Sequence, residues 1–163
     1  MSEKYYTQME AARKGIITEE MRAVARKEYR TEEEIRDLVA KGQVAICANK
    51  RHKCLDPNGV GSMLRTKINV NLGVSKDCKD YEVEMEKVMA AVNMGAEAIM
   101  DLSSHGNTQP FRRKLTQECP AMIGTVPVYD SVIHYKRDLA TLTAKDFIDV
   151  VRLHAEDGVD FVT

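Results

Sequence analysis

The sequence predicts an α/β protein: an N-terminal helical cap, then the first half of a (β/α)8 TIM-type barrel, truncated in the fourth strand. Three observations carry that prediction. From Lys67 onward, short apolar or alternating segments take turns with amphipathic helical patterns, and the strands begin roughly 30 residues apart, the size of a βα unit. Two helix-to-strand junctions echo one another, Met94-Gly95-Ala96-Glu97-Ala98-Ile99 and Asp157-Gly158-Val159-Asp160-Phe161-Val162; in each, a glycine ends a helix and a short acidic turn enters a strand. Polar side chains gather where the strands finish (Asn69 and Asn71, Asp101 with Ser103, Thr125 with Tyr129), the placement of a barrel's active face.

Residues 1–62 read as a helical and loop region, and 63–163 as three βα units and the start of a fourth strand. Thr18 precedes Glu19-Glu20-Met21 as a helix N-cap. Thr31-Glu32-Glu33-Glu34 has the form of a capping box, followed by Ile35, Leu38 and Val39 on one face, with Gly42 closing the helix. Val44–Cys47 is a short strand, and Asp56-Pro57-Asn58-Gly59 a turn that Gly59 and Gly61 extend as a loop. Strands are then expected over Lys67–Leu72, Ala98–Leu102 and Ala121–Val126, with a fourth starting at Phe161. Helices are expected over Tyr81–Met94, with Val83, Val88, Ala91 and Val92 as its stripe, over Thr108–Glu118, and over Thr143–Ala155, with Phe147, Val150, Val151 and His154 on one side. No Gly-x-Gly-x-x-Gly follows the first strand, which argues against a dinucleotide-binding sheet. A full barrel needs ~250 residues, so 163 supply about half. Open first and fourth strand edges then predict self-association, as a homodimer.

Composition narrows the function. The chain is 44% hydrophobic and 30% charged, with 24 basic against 25 acidic residues, so nothing draws it as a whole to nucleic acid or to an anionic membrane. Tryptophan is absent, which removes the commonest stacking platform for single strands. No apolar run approaches the ~20 residues of a spanning helix, and the first residues lack a signal-like apolar core, so the reading is cytoplasmic. Cys47, Cys54, Cys78 and Cys119 show no C-x-x-C spacing. Cys47 and Cys54 flank Asn49 and His52, a weak candidate for a metal site beside the simpler reading of reduced thiols. His52 and His105 fall in loops, where a surface role is the simpler reading. Asp101 and Ser103 read equally as helix N-caps or as ligands.

Several stretches carry a resemblance. Thr7-Gln8-Met9, Ala12-Arg13-Lys14-Gly15-Ile16-Ile17-Thr18 and Glu20-Met21 resemble an N-terminal signature, and Ala48-Asn49 with His52 resembles a Pro-Ala-Asn-x-Asn-His segment. Lys67–Gly73, Met100-Asp101-Leu102-Ser103 and Ile123–Tyr129 resemble three successive barrel strands, and Asp157–Thr163 the start of a fourth. The family they resemble is phosphomethylpyrimidine synthase. Cys47 departs from its usual Pro, Arg51 from its usual Asn, and Ser104-His105-Gly106-Asn107 from the commonest form of its loop.

The resemblance implies a radical S-adenosylmethionine lyase that converts 5-aminoimidazole ribotide to 4-amino-5-hydroxymethyl-2-methylpyrimidine phosphate in thiamine biosynthesis, with a [4Fe–4S] cluster and zinc. It places substrate contacts at Asn71, Met100 and Tyr129, spaced 29 residues apart, each ending a strand or starting the next loop. Read alone, Asn71 could instead bond a loop, Met100 fill a core and Tyr129 pack. The resemblance puts the cluster cysteines, zinc histidines and phosphate loop outside these residues, so no catalytic or metal residue is expected here, no cofactor is expected bound to the fragment, and the chain alone is expected to be inactive. A sister enzyme, 5-hydroxybenzimidazole synthase, shares substrate and cofactors and makes a cobalamin ligand base. A non-catalytic half-barrel that binds a ribotide or dimerises is the remaining alternative.

Overall fold

The computed structural model describes residues 4–163 and divides them into two compact units. The first comprises the chain up to Cys47 together with Asp56–Lys67. Its helices are α1 (Gln8–Arg13), α2 (Glu19–Glu28) and α3 (Glu32–Ala40). Thr7, Thr18 and Thr31 each stand in extended backbone and accept an N–H from the helix that follows; Thr31 completes its box, because Glu34 accepts the Thr31 N–H at 2.9 Å. With those termini satisfied, Ala11, Met21, Val24, Ile35 and Val39 are buried as this unit's core.

β1 (Val44–Ile46) pairs antiparallel with β2 (Gly59–Gly61), where a loop was expected. The glycines that suggest a loop are there for packing: a Cβ on Gly59 would lie 2.8 Å from the Leu64 side chain and 2.9 Å from that of Val24. The carboxylate of Glu28 accepts the Arg65 N–H at 2.9 Å and pairs with Lys67, so both charged side chains are buried yet matched.

The second unit comprises Ala48–Leu55 and Ile68–Thr163. Its four strands, β3 (Asn69–Leu72), β4 (Ala98–Asp101), β5 (Met122–Thr125) and β6 (Phe161–Val162), are all parallel and lie in sequence order. The helices between them are α4 (Tyr81–Asn93), α5 (Gln109–Glu118) and, between β5 and β6, both α6 (Pro127–Tyr135) and α7 (Ala144–Glu156). The strand and helix order expected from Lys67 onward is therefore present. Helix α6 is additional: Pro127 seeds it at a first-turn position, and the Val-Pro-Val-Tyr stretch that reads as strand continues as helix instead.

Strand pleating assigns the faces. Val70, Leu72, Ile99 and Ile123 join Met85, Val88, Phe111 and Leu115 of α4 and α5 in one apolar cluster. Asn69, Asn71, Ala98, Met100, Met122 and Gly124, one residue out of step, occupy the opposite face. There the Phe161 ring lies so close to Gly124 that a Cβ would meet it at 2.3 Å. The buried stripe of α4 is Met85, Val88 and Ala91, while Val83 is 39% exposed. On α7, Val150 and His154 are buried and Val151 faces outward.

The echoed junctions are echoed in three dimensions. Gly95 and Gly158 have φ of 96° and 101°, and each follows a helix whose last carbonyls are closed by paired bonds. Ala96 N–H donates to Ala91 O and Gly95 N–H to Val92 O; Val159 N–H donates to His154 O and Gly158 N–H to Ala155 O. The acid two residues after each glycine then turns to the preceding strand. Glu97 accepts the Ile68 N–H at 2.7 Å, and Asp160 accepts that of Ile123 at 2.8 Å.

Candidate functional site

The candidate site begins at the carboxyl ends of β3 and β4. Asn71 and Met100 are Cα partners in the parallel ladder, and Met100 is the partner of Gly124, so the three occupy one row on the face opposite α4 and α5. The Asn71 amide is exposed and Met100 is 7% exposed. An exposed amide that both donates and accepts, beside a polarisable thioether, suits a small polar heterocycle. Tyr129 belongs to the next βα connection. It stands in the first turn of α6, not at a strand end or in a loop, and is 49% exposed.

The polar strand ends form two groups. Asp101 and Thr125 pair with each other in register and, by the alternation of side chains, lie on the helix side, opposite Asn69 and Asn71. Asp101 is no helix cap: its Oδ1 accepts the Ser103 N–H at 2.9 Å and the Ser103 hydroxyl at 2.5 Å, while the residue at the N-cap position of α5 is Thr108, which makes no side-chain cap bond. The Ser103 hydroxyl oxygen accepts the Val74 N–H at 3.0 Å, and Leu102 N–H donates to Leu72 O at 2.7 Å. The two loops after β3 and β4 are thus stitched together directly beyond Asn71 and Met100. Gly73 permits that approach, because at its φ of 138° a Cβ would lie 2.6 Å from the Ser103 nitrogen. Burial raises the Asp101 carboxyl above its ordinary range, and the two bonds from Ser103 offset part of that rise.

Behind the rim lies an ionic junction that the sequence did not announce. Arg112 on α5 is 2% exposed. Its guanidinium donates to Asp157 from Nε at 3.0 Å and Nη2 at 2.8 Å, and to Asp130 from Nη1 at 3.1 Å. Asp130 on α6 also accepts from the Thr108 hydroxyl at 2.6 Å and is 3.0 Å from His154 Nε2. His154 Nδ1 in turn lies 2.8 Å from the Thr125 hydroxyl. A groove of about 540 Å³ opens beside this junction, lined by Thr108, Gln109, Arg112, Asp130, His134 and Lys136 among others. His154 reads as apolar stripe in the sequence; the only hint of another role is that Thr108 and Arg112 are four residues apart on one helix face.

Burial pushes the Asp130 carboxyl up, but bonds from His154 and Thr108 and the charge of Arg112 outweigh it and hold its pKa at about 2. A folded pKa below the unfolded value of ~3.9 stabilises the protein above pH ~4, and that contribution is lost as pH falls through ~2. Wild-type protein is therefore expected to lose about 2 kcal/mol between pH 4 and 2 from this group. Acid titration followed by far-ultraviolet circular dichroism checks it: Asp130→Asn should start less stable at pH 5 and fall less steeply.

Asn49 and His52 form a second polar cluster, far in sequence from its partners. Asp160, whose side chain is fully buried, accepts the Asn49 N–H at 2.8 Å and lies 2.7 Å from His52 Nδ1. The Asn49 amide donates to Ala155 O and Val159 O, both at 2.8 Å. His52 Nε2 is 2.7 Å from the carbonyl of Cys119. His52 is therefore buried, not a surface side chain. Both of its ring nitrogens face acceptors, a carboxylate and a carbonyl, so the site favours the protonated ring, in which both nitrogens donate. Burial opposes that charge, but the bond and charge of Asp160 prevail and raise the His52 pKa.

The cysteines sit apart from any ligand set. Cys54 Sγ is 3.2 Å from Cys119 O and Cys78 Sγ 3.3 Å from Glu84 Oε1. Burial pushes the Cys119 thiol up to about 11. Among the described residues, no group of three or more His, Cys, Asp or Glu is placed to hold a metal ion, and no helix is long and apolar enough to cross a membrane.

A parallel sheet in sequence order, with helices on one face and an exposed amide beside a thioether on the other, defines a protein of the α/β class. Residues 7–163 match the model of the Radical SAM ThiC family, and the chain belongs to that family. It is 61% identical over 160 residues to a phosphomethylpyrimidine synthase of Alkaliphilus oremlandii, covering 98% of this chain and 37% of that protein. Proteins of the same name from Alkaliphilus metalliredigens and Clostridioides difficile are 60% and 58% identical over 98% of the chain, which covers 36% and 37% of them. The chain thus spans little more than a third of the length of these curated relatives.

Proposed function

We propose that this chain is the N-terminal portion of a phosphomethylpyrimidine synthase, a radical enzyme of thiamine biosynthesis that converts 5-aminoimidazole ribotide to 4-amino-5-hydroxymethyl-2-methylpyrimidine phosphate. The observation that carries this reading is 61% identity across 98% of the chain to a relative of that name. That shared name favours the pyrimidine product over a benzimidazole. The sequential strand order, with no reversal point, supports the first half of a barrel over a doubly wound sheet, whose order reverses at its binding crevice. β3 and β6 each have one edge unpaired among the described residues, where barrel closure or a second copy would add a strand.

In this reading the chain supplies one wall of the ribotide site. The Asn71 amide bonds the heterocycle or ribose, Met100 packs against the ring, and the Tyr129 hydroxyl reaches a phosphate or ring nitrogen. Cluster, S-adenosylmethionine and zinc chemistry belong to other parts of the full-length enzyme. Among the described residues the thiols are dispersed, no group of three or more His, Cys, Asp or Glu is placed to hold a metal ion, and burial keeps Cys119 protonated, so these residues do not fit the cluster or the zinc.

Titration calorimetry with 5-aminoimidazole ribotide tests the site. The chain is expected to bind it, and Asn71→Ala, a change at an exposed position, to weaken binding at least tenfold. Absence of binding to the wild-type chain would refute the half-site. A chimera in which residues 7–163 replace the matching segment of the Alkaliphilus oremlandii relative tests the activity; it is expected to form the pyrimidine phosphate, and a benzimidazole product would overturn the assignment.

A further inference from the structure

We propose that Asp130 is a positioning residue for Tyr129, setting the rotation of α6 and so the direction in which the phenol points. The proposal rests on the reading of Tyr129 as a ligand contact. Tyr129 itself is weakly held: it is half exposed, and its hydroxyl makes no hydrogen bond to any described residue. Helix α6 packs against α7, but its first turn has no cap of its own. Its N-cap is Val126, which makes no side-chain cap, and Pro127 follows with no N–H.

What the start of α6 has instead is the next residue. The Asp130 carboxylate accepts from the Thr108 hydroxyl at the start of α5, from Arg112 one turn further on, and lies within hydrogen-bond distance of His154 on α7. Three groups from two other helices thus converge on one side chain. Arg112 Nη1 also donates to Thr108 at 3.1 Å, and His154 continues the chain of contacts to Thr125 at the end of β5. Neighbouring side chains on an α-helix project about 100° apart, so a carboxylate held from three directions also fixes where Tyr129 projects. Helix α6 is in this way referenced to the strand end that carries it.

The test is a double-mutant cycle on ribotide affinity with a ligand-free arm. Asp130→Asn is expected to weaken 5-aminoimidazole ribotide binding about tenfold. In that background Tyr129→Ala should add less than a twofold loss, because the phenol is already misdirected. Asn71→Ala, two strands away at roughly 10 Å, should add its full effect, which a general loss of structure would not reproduce. Full multiplication of the Asp130→Asn and Tyr129→Ala losses would overturn the proposal. Amide hydrogen exchange reads the same idea without ligand: Asp130→Asn should speed exchange over residues 127–135 and leave 109–118 protected, and unchanged α6 protection would also overturn it. If the wild-type chain binds no ribotide, the proposed function fails, and the exchange arm alone decides this one. Should Asp130→Asn not fold, Thr108→Val, which removes one donor to the same carboxylate, takes its place in both arms.

Discussion

Arg112→Ala is expected to cost the parallel-sheet unit about 3–5 kcal/mol, the range seen when one partner of a buried ion pair is removed. The guanidinium is 3% exposed and faces two carboxylates, Asp157 at 1% and Asp130 at 13%. Without it Asp157 keeps Gln109 and the largely exposed Arg113, whereas Asp130 keeps only neutral Thr108 and the His154 ring. Two carboxylates would then stand in a weakly solvated place with their main counter-charge gone. A domain of this size has a total stability of about 5–15 kcal/mol, so the loss is a large fraction of it. Arg112→Lys, which restores a charge but not a planar fork, should recover only part. Urea unfolding followed by far-ultraviolet circular dichroism measures it, and a loss for Arg112→Ala below 1 kcal/mol would refute the junction's structural role.

Asp160→Asn is expected to cost about 3 kcal/mol and to remove a pH dependence. Asp160 accepts hydrogen bonds from Asn49 N–H, Ile123 N–H and His52 Nδ1, and an amide has only one oxygen with which to accept them. The sign follows from the raised pKa of His52. Its stabilisation is fully present below the unfolded value of ~6.5 and is lost as pH rises through the higher folded value. Wild-type thermal stability should therefore fall on going from pH 6 to pH 9, and the variant should show a flatter profile from a lower starting point. Equal slopes in the two proteins would show that His52 is not charged by Asp160.

Most elements of the parallel-sheet unit were legible because each is announced locally. The Schellman glycines Gly95 and Gly158, the Thr143 cap and the apolar stretches at Ile99 and Ile123 act within a few residues. Two elements, one in each unit, were not. β2 is three residues long with glycine at both ends, and its reason for existing is a partner strand and the side chains of Val24 and Leu64. Helix α6 was hidden by the β-prone residues Val126, Val128 and Tyr129, a preference that Pro127 and packing against α7 override.

The site divides the same way. The resemblance named Asn71, Met100 and Tyr129, and strand register makes Asn71 and Met100 neighbours. The partners of Asp130 and of Asp160 lie between 18 and 111 residues away, and no local pattern relates Asn49 to Asp160 or Arg112 to Asp157. Alternation along the strands also sent Asp101 and Thr125 to the side away from Asn71, which a list of polar strand ends does not reveal.

The chain leaves its first unit after Cys47, contributes Ala48–Leu55 to the second, returns for Asp56–Lys67, and departs again at Ile68. Three covalent crossings therefore join the two units where a simple tandem arrangement has one. No single proteolytic nick can release either piece. A fragment beginning at Ile68 would look like a clean excision, yet Asp160 would reach it stripped of both Asn49 and His52, its carboxylate buried for partners left behind. Dissection of this protein has to carry an eight-residue loop from the amino-terminal side along with the sheet it serves.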